Sequence, residues 1–200
     1  MNQRLLAFSA TVVLLSTAAI AQNPVTADSP FQVRYAANLN IGDSVVNITN
    51  TGATGSNICV NVYTFAPDEQ EISCCSCLVT PDGLASLSVK NSLINNTLTG
   101  VVPSAVVVKL VATNSCNPAV PAELNPGLAA WGTTIHALPV TPGSPATTYG
   151  VTETAFTPST LSAAEYSRIT SLCGFIQTDG SGFGICGGCS TGGLGATAAQ

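Results

Sequence analysis

From Phe31 onward the chain alternates apolar and polar residues with a period of two, in short runs rich in Val, Ile and Thr. That period and those β-branched residues are the signature of half-buried strands. It predicts strands at 31–39, 44–49, 58–66, 71–80, 84–90, 104–113, 131–138 and 148–156. In 58–66, Ile58, Val60 and Val62 fall on one face and Cys59, Asn61, Tyr63 and Phe65 on the other, because successive strand side chains point to opposite sides. The run 105–111 is apolar throughout except for Lys109, which predicts a central strand buried on both faces. Turn chemistry separates the runs: Asn50-Thr51-Gly52, Pro81-Asp82-Gly83 and Asn117-Pro118. Many short strands at near-regular spacing imply a mainly β chain, an antiparallel Ig-like, Greek-key β-sandwich.

Two stretches break the pattern. Residues 118–147 carry six prolines, each of which removes a ladder donor, so they read as long connections around one strand near Trp131. Near the end, Ser162 and Glu165 form an S-x-x-E capping box, and Tyr166, Ile169, Cys173 and Ile176 share one face at helical spacing. A Gly/Cys-rich tail follows. A single helix of this size needs a surface to bury against, so helix and tail are expected to dock on the sandwich. The organisation is then a sandwich domain over 22–157 and a C-terminal module over 158–200.

The first 21 residues are set apart. Arg4 precedes an apolar stretch over 5–20, and Ala19-Ile20-Ala21 matches an A-x-A cleavage site. Those features define a secretory signal peptide at 1–21 and predict export, with no membrane span once it is removed. The segment 45–52, Val-Val-Asn-Ile-Thr-Asn-Thr-Gly, resembles a strand and turn of Ig-like repeats in exported bacterial surface proteins, a resemblance that bears on fold and not on function.

Composition narrows the functional classes. Charged residues are 8% of the chain, against about 25% in an average soluble protein. Five Lys and Arg against ten Asp and Glu exclude a basic patch able to neutralise phosphates, so no nucleic-acid partner is expected. Hydrophobic residues at 46% exclude charge-driven disorder. Ser and Thr number 43, so the solvated surface must be built of hydroxyls, amides and glycine. Such a surface repels copies of itself weakly, which suits a chain that packs against itself or another extracellular polymer.

Eight cysteines, Cys59, Cys74, Cys75, Cys77, Cys116, Cys173, Cys186 and Cys189, read as a disulfide framework in an exported chain. Five lie in the β-rich part and three in the C-terminal module. Both numbers are odd, so complete pairing requires at least one bridge between the two. In a strand Cys75 and Cys77 point to one face and Cys74 to the other, so they must reach different partners. Competing chemistries are zinc binding or thiol redox through Cys186-Gly187-Gly188-Cys189. The zinc reading lacks a second spaced pair and the redox reading lacks a helix opening at the motif.

Little else carries chemistry. His136 is the single candidate base, and no G-x-S-x-G nucleophile elbow occurs, so no catalytic residues and no cofactor are expected. Asp68, Glu69 and Glu71 read as a solvated acidic turn. Trp131, Tyr63 and Phe65 form a ligand-stacking platform if they surface together. The leading expectation is an exported, disulfide-stabilised, non-enzymatic structural or adhesive protein of the envelope or extracellular matrix that self-assembles. Its partners would be itself or other extracellular components. The alternatives are a glycan- or ligand-binding module and a thiol redox or zinc protein.

Overall fold

The computed structural model describes residues 29–138 and 148–191. The expected signal peptide, the leader through residue 28, part of the proline-rich stretch (139–147) and residues 192–200 lie outside the described residues.

The period-two runs become strands where they were predicted, with shifted ends. These are β1 (Phe31–Ala36), β2 (Val45–Asn50), β3 (Ile58–Phe65), β4 (Glu71–Val79), β5 (Leu84–Ser88), β6 (Val106–Thr113), β7 (Leu128–Ala137) and β8 (Tyr149–Ala155). Two further strands of two residues each, β9 (Thr157–Pro158) and β10 (Ser190–Thr191), are too short to carry a period. All pairings between named strands are antiparallel, in two five-stranded sheets of order β4-β3-β6-β1-β9 and β10-β5-β2-β7-β8. Only β3–β4 and β7–β8 pair as sequence neighbours; every other step along the chain crosses between the sheets.

The sheets share one core. Ile58, Val60 and Val62 of β3 and Val106, Val108 and Leu110 of β6 meet Val46 and Ile48 of β2, Leu87 of β5 and Leu128 and Ala130 of β7. This apolar surface, removed from water at roughly 25 cal/mol per Å², is the main force holding the layers together. The β6 strand is the middle strand of its sheet, as its continuous apolar run requires.

Two boundaries differ from expectation for clear reasons. The strand expected through residue 90 stops at Ser88 and gives way to a π-helical turn at Val89–Leu93. There the Asp43 carboxylate accepts from the Lys90 N–H at 2.8 Å and the Ser88 hydroxyl at 2.5 Å, while Ser88 Oγ accepts from the Asn91 N–H. A side chain 45 residues upstream thus bends the strand end. β7 starts at Leu128, ahead of the expected 131, directly after Gly127, which sits at φ +104°.

The helix α1 (Ala163–Thr178) begins at Ser162, whose Oγ accepts from the Glu165 N–H at 3.1 Å. The reciprocal half of the capping box is replaced by tertiary pairing: Glu165 Oε1 lies 2.5 Å from Lys109 Nζ on β6. Ile169, Cys173 and Ile176 of the helix pack on Phe31, Tyr63, Phe65, Cys74 and Val111, the outer face of the first sheet. That second cluster buries Tyr63 completely, and its hydroxyl donates to the Pro118 carbonyl at 2.9 Å.

Candidate functional site

The two long edges of this two-layer molecule are built differently. At one, β4 supplies three cysteines in four residues. Cys74 points outward and bonds Cys173 of the helix; Cys75 and Cys77 point the other way and bond Cys186 and Cys189 of the tail. The tail then pairs along both sheet edges. The Cys74 N–H donates to the Gly184 carbonyl and the Cys186 N–H to the Cys74 carbonyl, while β10 pairs with β5. The fourth bridge, Cys59–Cys116, ties β3 to the loop after β6. No free cysteine remains among the described residues, and three bridges join the C-terminal module to one strand. The Cys186/Cys189 pair is therefore no dithiol and no zinc pair: each sulfur is bonded to β4.

Under the helix sits Glu71, which corrects the expected solvated acidic turn. It is buried beside Phe65, and both carboxylate oxygens lack a hydrogen-bond partner. Burial pushes its carboxyl up to about 8, against the smaller opposing pull of Arg168 and Lys109. Its carboxylate and the sulfurs of Cys74 and Cys173 lie within 4.8 Å of one another, but those sulfurs are engaged in their mutual bond. Lys109 and Arg168 both stand over the Phe65 ring and both pair with Glu165, at 2.5 and 3.6 Å. The charges here close on themselves.

The opposite edge is open. β9 pairs with β1 only at Gln32 and Val33, and β8 is the last strand of its sheet. Gln32 and Arg34 point inward from β1 and reach the other sheet. Gln32 Nε2 donates to the Leu128 carbonyl at 2.8 Å. The Arg34 guanidinium donates to the Thr133 carbonyl at 3.0 Å, to Thr134 Oγ1 at 2.9 Å, and from Nε and Nη2 to Thr154 Oγ1 at 3.4 and 3.3 Å. Only 8% of Arg34 is exposed, and every acceptor it uses is neutral. Burial lowers its pKa from the ordinary value, with Glu153 opposing. Gly132 on β7 makes the room: a Cβ there would collide with Arg34 Nη1 and come within 2.7 Å of its Cζ. Beside the guanidinium lies a cleft of about 590 Å³ lined also by Tyr35, Thr134, Thr152, Thr154 and Ser159.

The expected stacking platform is not assembled. Tyr63 and Phe65 are buried beneath the helix on the first sheet, whereas Trp131 is 40% exposed on the outer face of the second. Tyr63 and Phe65 share a strand face as expected, but the helix occupies it. His136 lies on β7 facing Gly150, away from both clusters. Sequence reasoning missed Arg34, Gly132 and Glu71. In Phe31-Gln32-Val33-Arg34-Tyr35-Ala36 the more apolar face reads as the inward one, yet the structure turns Phe31 and Val33 outward under the helix and sends Gln32 and Arg34 between the sheets.

Comparison with protein-family models, with curated proteins and with solved structures finds no match for this chain. The residues alone carry its functional reading. Four disulfides are compatible with an extracellular protein, and no helix of the described residues is long and apolar enough to cross a membrane.

Proposed function

We propose that this is an exported, non-enzymatic structural or adhesive protein, an Ig-like sandwich in outline, that assembles with copies of itself through its open edge. The observation that carries the reading is β8. Its outer backbone edge has no strand partner among the described residues, and Tyr149 and Val151 on it are 49% and 65% exposed. An unpaired strand edge with exposed apolar side chains is a template for strand addition. The other three edges are covered: β4 by the tail, β5 by β10, and part of β1 by β9. Low charge removes the repulsion that normally opposes such contacts. Disulfides at the covered edge suit a protein that works outside the cell.

The test is the mass of the purified chain from residue 22 onward, by light scattering at rising concentration. The expected result is concentration-dependent association that Val151→Lys abolishes while the melting temperature stays unchanged. A wild-type chain that remains monomeric at high concentration and binds no envelope material overturns the reading. Intact mass of the naturally exported protein checks the remaining part: cleavage after Ala21 is expected, and retention of residues 1–21 counts against export by this route.

A further inference from the structure

We propose that the cleft around Arg34 binds a carboxylate-bearing sugar, a uronic acid unit of an extracellular polymer. A cation taken out of water without a counter-ion is costly, and neutral hydroxyls offset only part of that cost. Arg34 is in that state. No carboxylate of the described residues lies within ion-pair distance of it. The nearest acidic residue on the lining strand, Glu153, turns to the opposite face and accepts from Asn47 Nδ2 at 3.0 Å. The guanidinium's hydrogen bonds account for four of its five N–H groups, leaving one on Nη1. The fold also holds space for this side chain at Gly132, where any Cβ would displace it. An incoming carboxylate supplies the missing charge and an acceptor for that N–H, the pairing for which a guanidinium is shaped.

The rest of the lining specifies the class of ligand. Thr134 and Thr154, whose oxygens already accept from Arg34, keep their hydroxyl protons to donate. Ser159, which donates to the Thr157 carbonyl, can accept, and the Thr152 hydroxyl can do both, a mixed set that matches a polyhydroxylated ring. Tyr35, 61% exposed at the rim, offers a ring face for stacking. The cleft volume of about 590 Å³ falls within the range of about 300–1,000 Å³ usual for small-ligand sites. A single guanidinium lines the cleft, with no second cation, which suits one negative charge per unit rather than a doubly charged phosphate.

The test is calorimetric titration of the oxidised chain with trigalacturonate, its methyl ester, and a glutamate-rich hexapeptide. Trigalacturonate is expected to bind, with the ester weaker by about tenfold or more, the scale of a lost charged hydrogen bond. Arg34→Met is expected to remove the preference for the acid over the ester. If Arg34→Met fails to fold, Thr152→Val serves: Thr152 is exposed, makes none of the bonds to Arg34, and its loss is expected to weaken binding several-fold. Failure of trigalacturonate to bind at millimolar concentration, equal binding of the ester, or tighter binding of the hexapeptide each overturns the proposal. The inference does not rest on self-assembly: a monomeric chain that binds the acid sugar keeps it, and an associating chain that does not bind loses it.

Discussion

The sheet edge at β4 and the sheet edge at β8 solve the same problem in opposite ways. Both are ends of a sheet, where unpaired backbone groups must be satisfied. At β4 the chain uses its own C-terminal module, held by three covalent bonds and by hydrogen bonds to Gly184 and Cys186. At β8 nothing of the described chain covers the edge, and the interior behind it holds an unpaired Arg where the covered side holds cystines and aliphatics. The covered edge is organised for permanence, and the open edge is the one the proposed assembly would use. On that proposal stability and function occupy different ends of the molecule, and substitutions should separate them.

The largest effect is expected at the covered edge. Sequence separations of 99, 111 and 112 residues make the first of its three bridges to form the closure of a very long loop. In the chain-entropy picture that closure constrains the unfolded chain by about 4.7 kcal/mol. Once it exists, the second closes an effective loop of only about 15 residues and adds about 3 kcal/mol, and the third adds about 2. Replacing all six cysteines by Ala should cost on the order of 8–10 kcal/mol, comparable to the whole stability of a domain, and leave the chain unfolded by circular dichroism. Replacing only Cys77 and Cys189 should cost about 2 kcal/mol in a denaturant titration. If the single pair costs as much as the triple, the bridges do not act through nested loops.

Next comes the acid beneath the helix. The native state favours neutral Glu71 up to about pH 8, whereas in the unfolded chain it ionises near its ordinary value of 4.5. Below 4.5 both states are protonated and the native advantage is complete. Between 4.5 and 8 the unfolded state releases its proton first, so stability falls as pH rises, and above 8 the loss is complete. The fall should be on the order of 2–4 kcal/mol between pH 4.5 and 9, and Glu71→Gln should flatten it. Equal pH slopes in the wild type and the Gln variant would mean that Glu71 is ionised in the folded protein.

At the open edge the effects should be smaller. Gly132→Ala is expected to cost about 2 kcal/mol by overpacking against Arg34. Arg34→Met should be nearly neutral, or stabilising, because it removes a buried unpaired charge. The double variant should recover most of the Gly132→Ala loss in a thermal-melt cycle, since the collision partner is shortened. Additive costs would place the damage elsewhere. Smallest of all, Val151→Lys should change stability by less than about 0.5 kcal/mol.

What the sequence made legible follows the same division. Runs of β-branched residues bounded by turn chemistry placed all eight longer strands. β2 alternates because one of its faces is buried, whereas β3 is buried on both faces, the continuous apolar run of β6 marks a central strand, and β8 is read from its residue types despite being largely exposed. Odd cysteine numbers in the two modules required a covalent link between them, and the alternation of Cys74 with Cys75 and Cys77 matches their outward and inward partners. The helix face of Ile169, Cys173 and Ile176 was readable for the same reason. The open edge was not. Both faces of β1 are partly covered, so polarity alone points Arg34 the wrong way, and Gly132 matters only through a residue 98 positions away in sequence. Tyr63 and Phe65 were correctly placed on one face, but nothing local says that a helix about 100 residues downstream will cover it. Glu71 was hidden by its neighbours Asp68 and Glu69, which are exposed as an acidic turn should be.

The placement of β4 in the middle of the chain has a consequence for the order of events during synthesis. Cys59 and Cys116 can meet once about 60% of the chain is made, but Cys74, Cys75 and Cys77 must wait until Cys173, Cys186 and Cys189 have followed. For that interval three neighbouring thiols stand ready with no correct partner in existence, and any oxidant present offers them only wrong ones. The chain thus depends on slow oxidation or on exchange that can undo early mistakes. Its yield in a heterologous host should respond more to a disulfide isomerase than to temperature or codon choice.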